Sequence, residues 1–108
     1  MEYLQFRSVG ISYKTAPLEV REQIALNEDE AKALMLKVQE FFGGTDVLVV
    51  STCNRTEIYY NSAEDCNLDI AKLLLIQKGL INTENYLPYF VSYSTQQEAA
   101  RHLFEVAT

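Results

Sequence analysis

The chain has 108 residues, of which 48% are hydrophobic and 22% are charged, and its net charge is −6. These values predict one soluble domain with a single core, and no apolar run approaches the roughly 20 residues of a membrane-spanning helix. The 9 bases, outnumbered by 15 acids, are scattered, which argues against a module that binds nucleic acid by neutralising many phosphates. Two cysteines are too few for a disulfide framework, so we expect a reducing, cytoplasmic setting.

The first part of the chain is predicted to form a strand and two helices. A strand pattern covers Tyr3–Tyr13, and Pro17 suits the first turn of a short helix. Asn27 and Glu30 have the spacing of a capping box, which predicts the start of a second helix. Gly43–Gly44 is predicted to end that helix. Its apolar side chains recur at helical spacing and are predicted to lie in the core: Ala31, Leu34, Met35, Val38, Phe41 and Phe42.

The middle of the chain predicts a β-hairpin. Val47–Val50 is an unbroken apolar run typical of a buried strand, and Glu57–Asn61 alternates so that Ile58 and Tyr60 share one face. The residues between these two runs are polar and form a tight connection. This pattern places Cys53 at the tip of the hairpin.

The last part predicts two helices separated by a strand. A helix should follow the hairpin and end at Gly79, with Cys66 at its start in a structural or incidental role. Pro88–Tyr93 is predicted to be a strand, with proline at its first position. Thr95 and Glu98 form a capping box that opens the last helix. The apolar face of that helix is predicted to comprise Ala99, Ala100, Leu103, Phe104, Val106 and Ala107.

This order of elements predicts an α+β fold. A βαββαβ succession fits a ferredoxin-like sandwich, in which helices pack on one face of an antiparallel sheet. The C-terminal helix is an addition to that succession, and it runs to Thr108 without a cap. We therefore expect residues 1–108 to form a single domain that is part of a longer protein.

Cys53 and Arg55 are the first candidates for chemistry. A free thiol has a pKa of roughly 8.5, and its thiolate is the nucleophile, so a nearby guanidinium would favour the reactive form. Arg55 could equally bind a substrate carboxylate through its two-pronged donors. The alternative is that Cys53 only packs, as free cysteines often do. His102, the only histidine, lies at the edge of the last helix's apolar stripe, where it is either a packed residue or a partner of Cys53.

Three stretches resemble the glutamyl-tRNA reductase family. They are GISYKTAPLEVRE at Gly10–Glu22, STCNRTEIYY at Ser51–Tyr60 and EAARHLFEVA at Glu98–Ala107. The resemblance covers essentially the whole chain, and the second stretch is a specific motif. The family usually carries histidine where this chain has Tyr13. The resemblance implies the N-terminal part of a catalytic domain in an enzyme that makes the first dedicated intermediate of tetrapyrrole (5-aminolevulinate) synthesis.

The resemblance also implies roles for individual residues. Cys53 would attack the ester that joins glutamate to its tRNA, and NADPH would reduce the resulting thioester to glutamate-1-semialdehyde. Arg55 would recognise the glutamate carboxylate. Thr52 and Asn54 would hydrogen-bond the substrate, and His102 would have an acid–base or substrate-positioning role.

The resemblance further implies that two parts of the enzyme, a cofactor domain and a dimer-forming helix, lie outside this chain. Its four glycines build no GxGxxG turn, so we expect the NADPH domain and the dimer-forming helix to lie outside it. The isolated chain should then not reduce glutamyl-tRNA, and the full-length enzyme should be a homodimer that works beside the downstream aminomutase. Two alternatives remain open: a ferredoxin-like module that binds a ligand or partner, and an acyl-transfer enzyme or thiol hydrolase in which Cys53 hydrogen-bonds His102.

Overall fold

The computed structural model of the protein describes residues 4–42 and 46–107. The α-helices and strands in these ranges are β1 (Gln5–Ser12), α1 (Leu18–Ile24), α2 (Glu28–Phe42), β2 (Val47–Ser51), β3 (Arg55–Ser62), α3 (Asn67–Gln77), β4 (Val91–Tyr93) and α4 (Gln96–Ala107). Two short 3-10 helices lie between α3 and β4. None of the helices in the described ranges is long and apolar enough to cross a membrane. The predicted helix stop at Gly43–Gly44 and the predicted strand start at Tyr3 lie outside these ranges.

The sheet has the order β2-β3-β1-β4, and each pair of neighbours is antiparallel. The central pair is the longest, because β1 and β3 stay in register from Gln5 opposite Ser62 to Ser12 opposite Arg55. The β2–β3 pair is a hairpin, as predicted. The α+β, ferredoxin-like prediction is therefore confirmed.

One face of the sheet carries the hydrophobic core. Successive side chains of a strand point to opposite faces, so Val9 and Ile11 of β1 lie on this face beside Ile58 and Tyr60 of β3. Helices α2 and α3 cover it with the buried side chains of Leu34, Val38, Ile70, Ala71, Leu74 and Leu75. Full burial of each large aliphatic side chain contributes about 1.5–3 kcal/mol.

The opposite face of the sheet is more polar and carries α4. Ser8, Glu57 and Tyr59 belong to this face, and all three are buried. Helix α4 packs against β1 and β4 and brings the His102 ring over this surface, with its centroid 6.3 Å from that of Tyr59. The C-terminal helix therefore encloses a second, polar layer.

The predicted strand Pro88–Tyr93 is wrong in its first half. Leu87–Tyr89 forms a 3-10 turn, which the Phe90 amide closes by donating to the Leu87 carbonyl at 3.0 Å. Proline suits this turn because its fixed φ is close to helical and its missing N–H is not needed there. The strand is left with three residues, Val91–Tyr93.

Two predicted apolar faces are narrower in the structure. On α4, Ala99 is buried and Leu103 is half-buried, whereas Phe104 is 71% exposed. On α2, Phe42 packs against the core but Phe41 is 64% exposed. Each helix contacts the sheet along one stripe only, so a residue one position off that stripe points about 100° away. The same reason leaves two further predicted face residues exposed, Ala100 and Ala107.

Of the two predicted capping boxes, one is complete and the other is half formed. The Glu30 amide donates to Asn27 Oδ1 at 2.8 Å and the Asn27 amide donates to Glu30 Oε1 at 3.0 Å, which is a complete capping box. The Asn27 amide and then Lys78 lower the pKa of Glu30. At α4 the Glu98 amide donates to Thr95 Oγ1 at 3.2 Å. The Thr95 hydroxyl itself donates to Glu98 Oε1, so only half of that predicted box forms.

A buried arginine fixes the start of α4. Arg7 is 7% exposed, and its guanidinium donates to the carbonyls of Ser62 at 3.3 Å, Ala63 at 3.0 Å and Ser94. These carbonyls belong to the end of β3 and to the loop before α4. Because hydrogen bonds from a charged donor are the stronger ones, Arg7 sets where α4 begins relative to the sheet.

Candidate functional site

The turn between β2 and β3 presents an exposed cysteine. Thr52, Cys53 and Asn54 connect the two strands, and all three are exposed. The Thr52 amide donates to the Arg55 carbonyl at 2.8 Å, and the Asn54 amide donates to Thr52 Oγ1 at 3.2 Å. The predicted position of Cys53 at the hairpin tip is confirmed, and the tip is ordered by its own hydrogen bonds.

Residues of the β1–α1 region donate hydrogen bonds to the backbone of this hairpin tip. The Tyr13 amide donates to the Asn54 carbonyl at 2.8 Å, and Arg21 Nη1 donates to the Cys53 carbonyl at 2.9 Å. Arg21 Nε also donates to the Ala16 carbonyl at 3.2 Å. Arg21 therefore ties the backbone of the cysteine to the chain before α1. Sequence reasoning did not single it out, although it lies within the Gly10–Glu22 stretch.

The two thiols differ in their surroundings. Both cysteines are free; Cys53 is exposed, and its Sγ lies 3.9 Å from Asn54 Oδ1. Cys66 is only partly exposed, and its Sγ lies 3.8 Å from Ser62 Oγ and 3.6 Å from the Glu64 carbonyl oxygen. Cys53 thus meets the access requirement for attack on a substrate from solution. Cys66 occupies the N-cap position of α3, where its side chain makes no capping hydrogen bond.

Arg55 points along the sheet face that carries α4. Its Nη1 lies 3.6 Å from Glu57 Oε1, and its Cζ lies 5.9 Å from the centroid of the Tyr13 ring. The side chain of Arg55 is 18% exposed. Alternation along β3 explains this direction, because Arg55 and Glu57 are two residues apart and share a face. The guanidinium contacts that the structure shows are therefore to Glu57 and Tyr13.

A polar cluster lies under α4, and we call Arg55, Glu57, Tyr59, Tyr93 and His102 the Glu57 cluster. The Glu57 side chain is 5% exposed, its Oε1 accepts the Tyr59 hydroxyl at 3.1 Å, and its Oε2 pairs with His102 Nε2. The Tyr93 ring stacks on the imidazole with centroids 4.2 Å apart. Sequence reasoning missed Glu57, although a carboxylate inside a strand, directly before Ile58, Tyr59 and Tyr60, is a signal of this kind.

Gly10 leaves room for this cluster. It lies opposite Glu57 in the β1–β3 register. A Cβ atom at Gly10 would come within 2.3 Å of the Thr56 carbonyl oxygen and 2.8 Å of Glu57 Cγ. Glycine is therefore the residue that allows the two strands and the Glu57 side chain to approach this closely.

The hydrogen-bonded pair of Cys53 and His102, which the acyl-transfer or thiol-hydrolase alternative requires, does not form in the structure. His102 Nε2 pairs with Glu57, and Cys53 Sγ contacts Asn54. Within residues 4–42 and 46–107, no hydrogen bond joins the two side chains. The alternative that requires a hydrogen-bonded Cys–His dyad therefore receives no support from this arrangement.

A groove of about 250 Å³ runs beside the tip. Its lining includes Tyr13, Lys14, Arg55, Tyr93 and His102. Tyr13 links the groove to the turn, because its amide bonds Asn54 while its ring is 53% exposed. The groove is large enough for an amino-acid side chain; besides the bases Lys14 and Arg55 it is lined by the acids Glu57 and Glu105, so a carboxylate would bind at the guanidinium fork of Arg55 and not to an overall positive surface.

The described part of the chain shows no metal or dinucleotide site. Among those residues, no group of three histidine, cysteine, aspartate or glutamate side chains is placed to hold a metal ion. A dinucleotide fold binds pyrophosphate at a glycine-rich turn between a parallel strand and a helix, whereas every described strand pair here is antiparallel. The described residues therefore lack the parallel strand, glycine-rich turn and helix of a dinucleotide fold.

Burial raises the pKa of three tyrosines. The pKa of Tyr59 rises well above its usual value because the phenol is buried and faces the Glu57 carboxylate. Burial is also the main cause of the raised pKa of Tyr60 and of Tyr93. A raised pKa means that the folded state holds the phenol proton more tightly than the unfolded state. The contribution of these phenols to the free energy of unfolding is fully present below pH ~10, the usual tyrosine pKa. It is lost as the pH rises above that value.

We therefore expect a late phase in the alkaline titration of phenolate absorbance. Part of the absorbance should appear only well above pH ~10, together with unfolding measured by circular dichroism. Tyr59→Phe should reduce the amplitude of this late phase. Ionisation of all seven tyrosines in one transition near pH ~10, before any unfolding, would contradict the burial described above.

Comparison with known proteins identifies the family of this domain. The family described as "Glutamyl-tRNAGlu reductase, N-terminal domain" matches residues 9–108. Glutamyl-tRNA reductase from Cytophaga hutchinsonii is 48% identical over 101 residues, which is 94% of this chain and 24% of that protein. The enzyme of the same name from Heliobacterium mobile is 35% identical, over 93% of this chain and 23% of that protein.

A solved structure agrees with the sequence relatives. Glutamyl-tRNA reductase from Methanopyrus kandleri superposes with a TM-score of 0.65 at 31% identity, over 99% of this chain and 22% of that protein. The chain spans about a quarter of the length of the curated relatives that it matches. On the family match, the identities and the shared fold, the chain belongs to the glutamyl-tRNA reductase N-terminal domain family.

Proposed function

We propose that this chain is the catalytic-domain part of a glutamyl-tRNA reductase, and that Cys53 accepts the glutamyl group from tRNA. The observation that carries the proposal is the exposed, free Cys53 thiol at a turn anchored by Arg21 and Tyr13. Membership of the family supports it. The reaction would be the first step of tetrapyrrole synthesis, from glutamyl-tRNA to glutamate-1-semialdehyde.

The chemistry proposed for Cys53 is one acyl transfer. The thiolate Sγ attacks the carbonyl carbon of the ester between glutamate and the terminal ribose of the tRNA. A carbon–sulfur bond forms and the carbon–oxygen bond to the ribose breaks. The thiol loses a proton and the ribose oxygen gains one, so the step is balanced. The thioester is more readily reduced by hydride than the oxygen ester, which is the reason for a covalent intermediate.

The remaining predicted residues are proposed to bind the substrate. Arg55 would bind the side-chain carboxylate of glutamate, since it lines the groove beside the tip and presents a planar, charged fork of donors. Thr52 and Asn54 flank the thiol and offer polar atoms to the substrate backbone. His102 lines the same groove and is the proposed acid–base or positioning group.

The reductant is proposed to bind outside the residues described. NADPH would supply the hydride that releases glutamate-1-semialdehyde, and the antiparallel pairing of the described strands supports a site for it elsewhere. We therefore assign no part of the hydride step to this chain. Mixing the 108-residue protein with glutamyl-tRNA and NADPH should give no NADPH oxidation.

A labelling experiment tests the acyl-transfer proposal. The full-length protein that carries this domain is mixed with tRNA charged with radioactive glutamate, without NADPH, and the protein is counted after digestion of the tRNA with ribonuclease and acid precipitation. We expect label on the protein, and we expect prior alkylation of Cys53 to prevent it. A ligand- or partner-binding module would instead show slow alkylation of Cys53 and no label. That result would contradict the proposal.

A further inference from the structure

We propose that Arg21 is a positioning residue for acyl transfer, and that it fixes the direction of the Cys53 thiol by holding the peptide unit that follows it. The inference rests on the proposed function, because it assigns a support to the nucleophile of that site. It starts from the exposure of the hairpin tip, where Thr52, Cys53 and Asn54 are all exposed. An exposed turn has few packed neighbours to keep a side chain in one direction.

Arg21 connects this exposed tip to a buried part of the chain. Its Nη1 donates to the Cys53 carbonyl at 2.9 Å, and its Nε donates to the Ala16 carbonyl at 3.2 Å. Ala16 is 4% exposed, and its amide donates at 2.9 Å to the carbonyl of Ser12, the last residue of β1. The guanidinium is planar and rigid, so it keeps the two carbonyl oxygens at one separation. The backbone of Cys53 is thereby held relative to the core.

The peptide unit between Cys53 and Asn54 is held at both of its polar atoms. Arg21 donates to its carbonyl oxygen, and its N–H, which belongs to Asn54, donates to Thr52 Oγ1 at 3.2 Å. A side chain adopts staggered rotamers, whose directions are set by the backbone atoms bonded to its own Cα. Fixing this peptide plane therefore limits the directions in which Sγ extends from Cys53.

The direction of the thiol matters for the proposed reaction. Attack requires Sγ at about 3–3.5 Å from the carbonyl carbon of the ester and aligned with it, and a misplacement of about 1 Å can cost about 100-fold in rate. A small reagent such as iodoacetamide diffuses freely and reaches an exposed thiol from many directions. Loss of Arg21 should therefore slow acyl transfer and leave alkylation of Cys53 unchanged.

Arg21→Met tests this expectation, because it removes both donors and keeps an unbranched apolar side chain. In the full-length protein we expect the maximal single-turnover rate of acyl transfer to fall at least about 10-fold, as misorientation of a reacting group does. The half-saturating concentration of glutamyl-tRNA should change less than this rate. Alkylation by iodoacetamide, followed on the peptide that contains Cys53, should stay within about twofold of the wild-type rate.

Arg21→Lys separates geometry from charge. Lysine keeps the positive charge, but its single nitrogen does not reproduce two donor atoms at a fixed separation. We therefore expect its maximal rate to remain closer to that of Arg21→Met than to that of the wild type. The control for loss of a charge is Lys32→Met, since Lys32 is exposed on α2 and pairs with Glu28. This control should keep the wild-type rates of both reactions.

Three results would overturn the positioning proposal. One is a wild-type maximal rate in folded Arg21→Met, or in Arg21→Lys where the methionine variant does not fold. Another is an equal loss of acyl transfer and alkylation, which would mean that Arg21 acts on the access or ionisation of the thiol. The third is full recovery in Arg21→Lys, with a salt-dependent loss of tRNA affinity in Arg21→Met, because this pattern indicates phosphate binding. Failure of the wild-type protein to accept any glutamyl group would instead overturn the proposed function itself.

Discussion

Serine in place of Cys53 is expected to abolish transfer of the glutamyl group from tRNA to the protein. A serine hydroxyl is a weak nucleophile unless a base activates it, and His102, the only histidine of the chain, pairs with Glu57 instead of residue 53. Attack by serine would also form a new oxygen ester, which hydride reduces no more readily than the ester of glutamyl-tRNA. We expect the single-turnover rate in the full-length protein to fall at least about a thousandfold, as removal of a catalytic nucleophile does.

The other cysteine is a matched control for this substitution. Cys66→Ser changes the same atom in a thiol that packs against Ser62 at the start of α3. It should retain the wild-type rate of acyl transfer. Loss of label in Cys66→Ser with retention in Cys53→Ser would mean that the nucleophile has been assigned to the wrong thiol.

Alanine in place of Gly10 is expected to destabilise the domain by about 3 kcal/mol, as overpacking of a rigid interior does. The new methyl group would lie 2.3 Å from the Thr56 carbonyl oxygen and 2.7 Å from Glu57 Cα. Both atoms belong to the backbone of β3, so no side chain can rotate away to relieve the contact. The central β1–β3 pair has to separate, and this also displaces Glu57. Denaturant unfolding of the 108-residue protein measures the loss.

Gly79→Ala separates this clash from the general effect of replacing glycine. Gly79 has a φ of +77°, and a Cβ atom at this residue would meet no other atom within 4 Å. Its replacement should cost only about 1–2 kcal/mol, the penalty of a left-handed backbone. It should leave acyl transfer unchanged, whereas Gly10→Ala should impair it. Equal destabilisation by both substitutions would show that contact with β3 is not the cause.

Much of the fold follows from local patterns. The alternation in β3 correctly separates Ile58 and Tyr60 from Glu57 and Tyr59, and the Asn27–Glu30 box marks the start of α2. Such patterns work because the period of side-chain direction and the capping bonds involve neighbours in sequence. The strand predicted to start at Pro88 is wrong in its first half because proline suits a strand edge and a 3-10 turn equally well.

The candidate site could be predicted only in part. The tip position of Cys53 follows from the hairpin pattern, but Arg55 turns away along the sheet because it is already part of β3. The pairing of Glu57 with His102 joins residues 45 positions apart. It depends on which sheet face α4 covers. Helical periodicity identifies the apolar stripe of a helix and carries no information about the surface that the stripe meets.

The measurement that tests the central claim most directly is the location of the glutamyl group. The full-length protein is mixed with glutamyl-tRNA in the absence of NADPH, quenched in acid, and digested for mass spectrometry. We predict one glutamyl group on the peptide that contains Cys53, and its removal by hydroxylamine, as expected for a thioester. A glutamyl group on any other peptide, or unmodified Cys53 in samples quenched during the first turnover while the tRNA is being deacylated, would contradict this claim.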